Sequence, residues 1–104
     1  MDALTRLEAT ITARLRADPG ASYVASLKAK GLPTIARKLG EEATEAVVAA
    51  LSGSDEELVG EAADVLFHLT VLLAARGIAL QRVMAELERR EGTSGLAEKA
   101  SRSA

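Results

Sequence analysis

The sequence predicts an all-α protein, an antiparallel bundle of four main helices and one short helix. Three observations carry that expectation. Ala, Leu, Glu, Arg and Lys dominate, residues that lose little entropy in a helix, while aromatic residues make up only 2% of the 104 positions. Apolar residues recur at three- and four-residue spacing, and period-two alternation never runs long enough for a strand. Gly, Pro and Ser fall between these stretches and leave only short connections. The length suits one domain with a modest aliphatic core.

The elements follow in order. Asp2 to Ala17 carries Leu4, Leu7, Ile11 and Leu15 at helical spacing, and Asp18-Pro19-Gly20 ends it. Ser22 can cap a short helix that runs to Lys30 and stops at Gly31. Pro33 suits the first turn of the next helix, expected from about Thr34 to Leu51. Ser54 and Glu57 make a capping box that opens a long helix reaching Arg76, closed by Gly77. A last helix spans Leu80 to Arg90. The expectation is thus a helical domain over residues 1–91 and a polar, mobile tail over 92–104.

Composition narrows the chemistry. No cysteine is present, which removes disulfides, thiolate nucleophiles and zinc-thiolate sites together. Net charge is −2 and the basic residues are scattered, with little aromatic surface for stacking bases, so no nucleic-acid partner is expected. The longest apolar run, Leu69 to Ala75 broken only by Thr70, is too short to cross a membrane. The amphipathic Leu4–Leu15 stretch does not read as a signal peptide. No membrane partner is expected, and a cytoplasmic location is.

The charges fall in a pattern. On the third helix Ile35, Leu39, Ala43, Ala46 and Ala50 share one face, and Lys38, Glu41, Glu42 and Glu45 lie on an arc of about 100° at its border. On the fourth, Leu58, Ala62, Val65, Leu69, Leu72 and Leu73 form the apolar face, with Glu61, Asp64 and His68 within about 60° on one border. Val71 lies off that face and Phe67 opposite it, which suggests a second packing surface for a partner copy. The two helices are consecutive, so their acidic stripes can face each other. A glutamate-rich helix face by itself is ordinary solvated surface. Two such stripes brought together repel, at about 0.2–0.5 kcal/mol per like-charge pair before desolvation. A divalent cation reverses that penalty, and oxygen-only donors suit Mg²⁺ or Mn²⁺, whose coordination shell substrate phosphates often complete.

These residues also resemble a known family. Glu41-Glu42-x-x-Glu45 followed by Glu61-x-x-Asp64 is similar to the signature of the all-α, MazG-type nucleotide pyrophosphohydrolases. The segments Ser22–Gly31, Lys38–Leu51 and Glu61–Ile78 resemble, more narrowly, the phosphoribosyl-ATP pyrophosphohydrolases of histidine biosynthesis, and the likeness extends from about Leu7 onward. That resemblance implies direct Mg²⁺ ligands at Glu42, Glu45, Glu61 and Asp64, with Glu41 a further acidic residue of the site. It also implies a homodimer or larger assembly with the site near the subunit interface.

The implied reaction is Mg²⁺-dependent hydrolysis of the α–β phosphoanhydride of phosphoribosyl-ATP to phosphoribosyl-AMP and pyrophosphate. Water activated by the cation would attack, and Glu41 or Glu45 would accept the proton. Lys28, Lys30 and Lys38 are the candidates for holding phosphate, Arg37 a weaker one, and Ser22 and Tyr23 for touching the nucleotide or ribose. His68 reads as an orienter of the Asp64 carboxylate or an interface residue, not a base. Two alternatives stand beside this: a housecleaning (d)NTP pyrophosphohydrolase of the same superfamily, and a non-catalytic helical dimerisation module.

Overall fold

A computed structural model describes residues 2–103 and contains six helices: α1 (Ala3–Arg14), α2 (Tyr23–Lys30), α3 (Leu32–Ser52), α4 (Asp55–Ala75), α5 (Leu80–Arg90) and α6 (Gly95–Ser103). Met1 and Ala104, the outermost residues of the expected domain and tail, lie outside the described residues. The all-α class is as expected, and the bounds of α2 and α5 match the punctuation that predicted them.

Local chemistry explains the boundaries. Asp2 caps α1 by accepting from the Thr5 N–H at 2.8 Å, and Ser22 caps α2 by accepting from the Ala25 N–H at 3.3 Å. Gly31 ends α2 at φ +100°, a conformation that only glycine adopts cheaply, and Pro33 follows in the first turn of α3. The Ser54–Glu57 capping box is complete. At the far end of α4 the Ile78 N–H reaches the Leu73 carbonyl at 2.9 Å and the Gly77 N–H the Ala74 carbonyl at 3.0 Å, a Schellman closure. Helix α5 begins at Ala79 without a side-chain cap of its own. Glu8 of α1 supplies one, its carboxylate accepting from the Leu80 N–H at 2.6 Å.

The core gathers Ile11, Val24, Leu27, Ile35 and Val71, with Leu7, Leu15, Phe67, Leu72 and Ala74 packed around it. It lies where α1 and α2 meet the start of α3 and the end of α4, each full burial being worth about 1.5–3 kcal/mol. Two expectations fail here. Val71 is 0% exposed and Phe67 packs on the same cluster, so both belong to the internal core and not to an outer surface. On α3, Ala49 is buried while Ala43 and Ala50 are exposed. Helix α4 is apolar on several sides and packs against α1, α3 and α5, so a wheel centred on its leucines, of which Leu72 does reach the core, misses the side that holds Val71.

The α3–α4 hairpin extends beyond this core and leaves Val47, Val48, Leu51, Val59 and Leu66 exposed, Leu51 at 83%. Helix α4 is 21 residues long and holds an 18-residue stretch of mean hydropathy 1.7, the length and composition of a membrane span, yet Glu61 and Asp64 interrupt it. The segment expected as a polar tail holds α6. Ser94 accepts from the Ala97 N–H at 3.1 Å, and buried Glu98 pairs with Arg89 at 2.7 Å and lies 3.8 Å from both Arg90 and Arg102.

Candidate active site

The α3–α4 link is two residues long, Gly53 and Ser54. A Cβ on Gly53 would lie 3.0 Å from the Ala49 carbonyl oxygen and 3.1 Å from a Glu57 carboxylate oxygen, so a side chain here would press on the end of α3 and on the capping box. The tight turn fixes the register of the hairpin, bringing Glu45 level with Glu61 and Glu42 towards Asp64. Spacing of three residues within each helix places both acids of each pair on the facing side.

One carboxylate oxygen each from Glu42, Glu45 and Glu61 lie within 4.8 Å of one another. Glu42 Oε2 and Glu61 Oε2 are buried without a hydrogen-bond partner. The Glu42 carboxyl is pushed above its ordinary value of 4.5, first by lost hydration, then by a shared hydrogen bond with Glu45 and the negative charges of Glu45 and Asp64. Glu61 is pushed the same way, by lost hydration first, then by its contact with Glu45 and the charges of Glu45, Asp64 and Glu42. Asp64 is exposed at the edge of the three. The cluster opens into a groove of about 610 Å³ that Thr44, Glu45, Val48, Glu57, Glu61 and Asp64 line.

Orphaned oxygens and mutually repelling acids fit a hard cation. Each unpartnered oxygen would gain a partner and each raised carboxyl would ionise without penalty. No cysteine exists to compete, and the chain's one histidine has both ring nitrogens engaged elsewhere. Glu42, Glu45 and Glu61, with Asp64 beside them, are the residues that fit a divalent ion.

The other expected site residues are placed more loosely. Glu41 is outside the trio, 3.4 Å from Arg37 and 3.5 Å from Lys38 in exposed ion pairs. Lys38 is therefore engaged with Glu41, and Lys28 donates to the Leu15 carbonyl at 3.3 Å. Lys30 is exposed at the end of α2 and makes no ion pair among the described residues. The Ser22 hydroxyl is occupied as the α2 cap. Tyr23 is half exposed, and its hydroxyl meets His68 Nε2 at 2.9 Å. His68 does not orient the Asp64 carboxylate. Its Nδ1 donates to the Asp64 backbone carbonyl at 2.8 Å, because a ring at i+4 lies over the carbonyl one turn back while the Asp64 side chain points outward.

Sequence reasoning missed several lining residues, Glu57 and Thr44 among them. Glu57 had been assigned only to the helix cap, although it lies one turn before Glu61 on the same face, which was the available signal. Thr44 carried none.

Fold and site together define a class: an all-helical protein whose central hairpin gathers carboxylate oxygens of a kind that fits a hard cation. Comparison with known proteins sharpens this. Residues 4–91 match the phosphoribosyl-ATP pyrophosphohydrolase family model. The chain is 70% identical to the phosphoribosyl-ATP pyrophosphatase of Erythrobacter litoralis over 98% of both chains. It is 66% identical to that of Novosphingobium aromaticivorans, covering 96% of this chain and 94% of the relative. It is 60% identical to that of Dinoroseobacter shibae over 98% of this chain and all of that protein. The chain belongs to the phosphoribosyl-ATP pyrophosphohydrolase family.

Proposed function

We propose that this chain hydrolyses the α–β phosphoanhydride of phosphoribosyl-ATP with Mg²⁺ held by Glu42, Glu45, Glu61 and Asp64, as a homodimer in the cytoplasm. Membership of the family makes the chain a hydrolase of histidine biosynthesis. The observation that supports the metal assignment is the meeting of three carboxylates with two buried, partnerless oxygens, Glu42 Oε2 and Glu61 Oε2.

Bound there, Mg²⁺ would neutralise charge on the phosphates and acidify the attacking water. The rest of the work falls to the chain. Water attacks phosphorus, the bond to the bridging oxygen breaks and pyrophosphate leaves, while the water's proton passes to a carboxylate. Glu45 is better placed than Glu41 to take it, since Glu41 is drawn aside by Arg37 and Lys38. Lys30 and Lys38 hold phosphate as point charges, and Lys28 joins them on releasing the Leu15 carbonyl. Ser22 and Tyr23 flank the nucleotide from the start of α2.

Support for the dimer comes from the exposed apolar residues of the hairpin, Val47, Leu51, Val59 and Leu66, and from Val48, which is exposed and lines the groove. A second copy would cover them and close the site. Leu51→Glu should yield a monomer, checked by light scattering. A variant of wild-type mass would remove this surface as the interface.

The deciding assay is pyrophosphate release from phosphoribosyl-ATP, with dATP, dCTP and dUTP in parallel, with and without Mg²⁺. Glu42→Gln runs beside the wild type. Mg²⁺-dependent turnover of phosphoribosyl-ATP that Glu42→Gln abolishes is the expected result. Turnover of the deoxynucleotides instead would keep the site and discard the substrate.

A further inference from the structure

The chain has one tyrosine, one phenylalanine, one histidine and no tryptophan, and these three rings all meet, with His68 one turn along α4 from Asp64. Tyr23 and Phe67 stack with centroids 6.1 Å apart, and Phe67 meets His68 edge-on at 5.2 Å. His68 is 6% exposed, so both ring nitrogens need partners. Nδ1 faces the Asp64 carbonyl oxygen, which can only accept, and so Nδ1 carries the hydrogen. In the neutral ring Nε2 is then an acceptor, and the Tyr23 hydroxyl donates to it. The imidazole thus joins α2 to the turn of α4 that bears Asp64.

Tyr23 is 50% exposed, with its ring stacked on Phe67 and its hydroxyl held by His68. A ring held this way is oriented before any ligand arrives, which removes an ordering cost from binding.

We propose that His68 is a positioning residue for the hydrolysis: through the Tyr23 hydroxyl and the Asp64 carbonyl it sets the α2 side of the site, where the nucleotide rests, against the carboxylates of α4. His68 touches neither substrate nor cation and acts through these two neighbours. The inference rests on the function proposed above.

Three substitutions separate the links. Tyr23→Phe keeps the ring and removes the donor. In His68→Asn the amide can still reach the Asp64 carbonyl but falls short of Tyr23. In His68→Gln it sits where Nε2 was and can accept from Tyr23. Misplacement of a reacting group by about 1 Å can cost about a hundredfold in rate, and a loosened tie should cost less. Tyr23→Phe and His68→Asn are therefore each expected to lower kcat about tenfold with KM within about twofold. The double variant should be no slower than either single one, and His68→Gln should recover most of the loss.

Readouts independent of turnover accompany these. The imidazole ¹⁵N shifts of His68 should report the Nδ1–H form. The rise in Tm on adding Mg²⁺ should shrink equally in Tyr23→Phe and His68→Asn. Additive losses in the double variant, a His68→Gln no better than His68→Asn, or unchanged kcat with a lowered Tm would each overturn the proposal. If the wild type releases no pyrophosphate from phosphoribosyl-ATP, the assigned function fails by itself. The Mg²⁺-induced Tm rise then decides the tie: a smaller rise in Tyr23→Phe upholds it and an unchanged rise rejects it.

Discussion

Two clusters of acids lie on this molecule, and the chain treats them in opposite ways. At the α5–α6 end, Glu86 accepts from Arg89 at 2.8 Å and Arg90 at 3.1 Å, and Glu98 has Arg89, Arg90 and Arg102 around it. Each carboxylate there has cations supplied by the sequence itself. At the α3–α4 seam, Glu42, Glu45 and Glu61 meet one another, and the α3 cations Arg37 and Lys38 pair with Glu41 instead. The first cluster is complete as folded. The second raises its own proton affinity and leaves oxygens unpartnered, which is how a site differs from a scaffold built from the same residue types.

The contrast predicts opposite responses to loss of charge. Glu61→Gln should cost at least about a hundredfold in Mg²⁺-dependent pyrophosphate release, since even outer partners of a metal site are worth about 10–100-fold. The same change should raise the Tm measured without divalent cation, because it removes a repelling charge. A fall in both would show that the carboxylate is structural.

Acid should divide the clusters next. Glu42 and Glu61 have carboxyls raised above 4.5 in the fold, so the folded chain binds more protons than the unfolded one just above that pH. Their contribution to stability is full below the unfolded value and lost as pH rises through the raised one. Without divalent cation, Tm should therefore climb as pH falls from 7 towards 4.5, and the Mg²⁺-induced rise should be larger at pH 7 than at pH 5. Glu86 goes the other way. Hydrogen bonds from Arg89 and then Arg90 hold its carboxyl down at about 2, so its contribution stands above 4.5 and is lost as pH falls towards 2. A melting series across pH 2–7 with and without Mg²⁺ checks both signs.

Smaller effects belong to the scaffold. Glu98→Gln should cost about 1 kcal/mol, since its arginine partners remain well solvated. The loss should appear as faster hydrogen exchange in α6 while turnover stays at the wild-type value. Glu8→Ala should also cost about 1 kcal/mol, as the loss of the cap on α5, and should be read by denaturant unfolding.

Much of this was legible in the sequence because it is local. The Ser54–Glu57 box, Ser22 at α2, Gly31 with Pro33, and the paired acids at three-residue spacing each declare themselves within one turn. What escaped depends on partners far away in sequence. Val71 was assigned to an outer surface because the wheel of α4 cannot say which of several apolar sides meets α1 and α2. Helix α6 looked like a tail because its anchor is Glu98 on Arg89 and Arg90 of the preceding helix, which leaves no apolar periodicity to detect. The Tyr23–His68 bond joins residues 45 positions apart, and nothing near either residue announces it.

The two-residue turn at Gly53–Ser54 also bears on how fast the chain folds. It places all four acids of the site within one hairpin, between Glu42 and Asp64, so they are driven together as soon as that hairpin zips up. Contacts this local form early in helical proteins. The repulsion is therefore met on the way up the folding barrier, not after it. Refolding without divalent cation should be slowed at neutral pH, and should quicken on mild acidification or on adding Mg²⁺, with unfolding rates moving less. With the cation of the proposed function bound there, the spacing that gathers the acids so economically would make that ion an assistant in the folding of its own binding place.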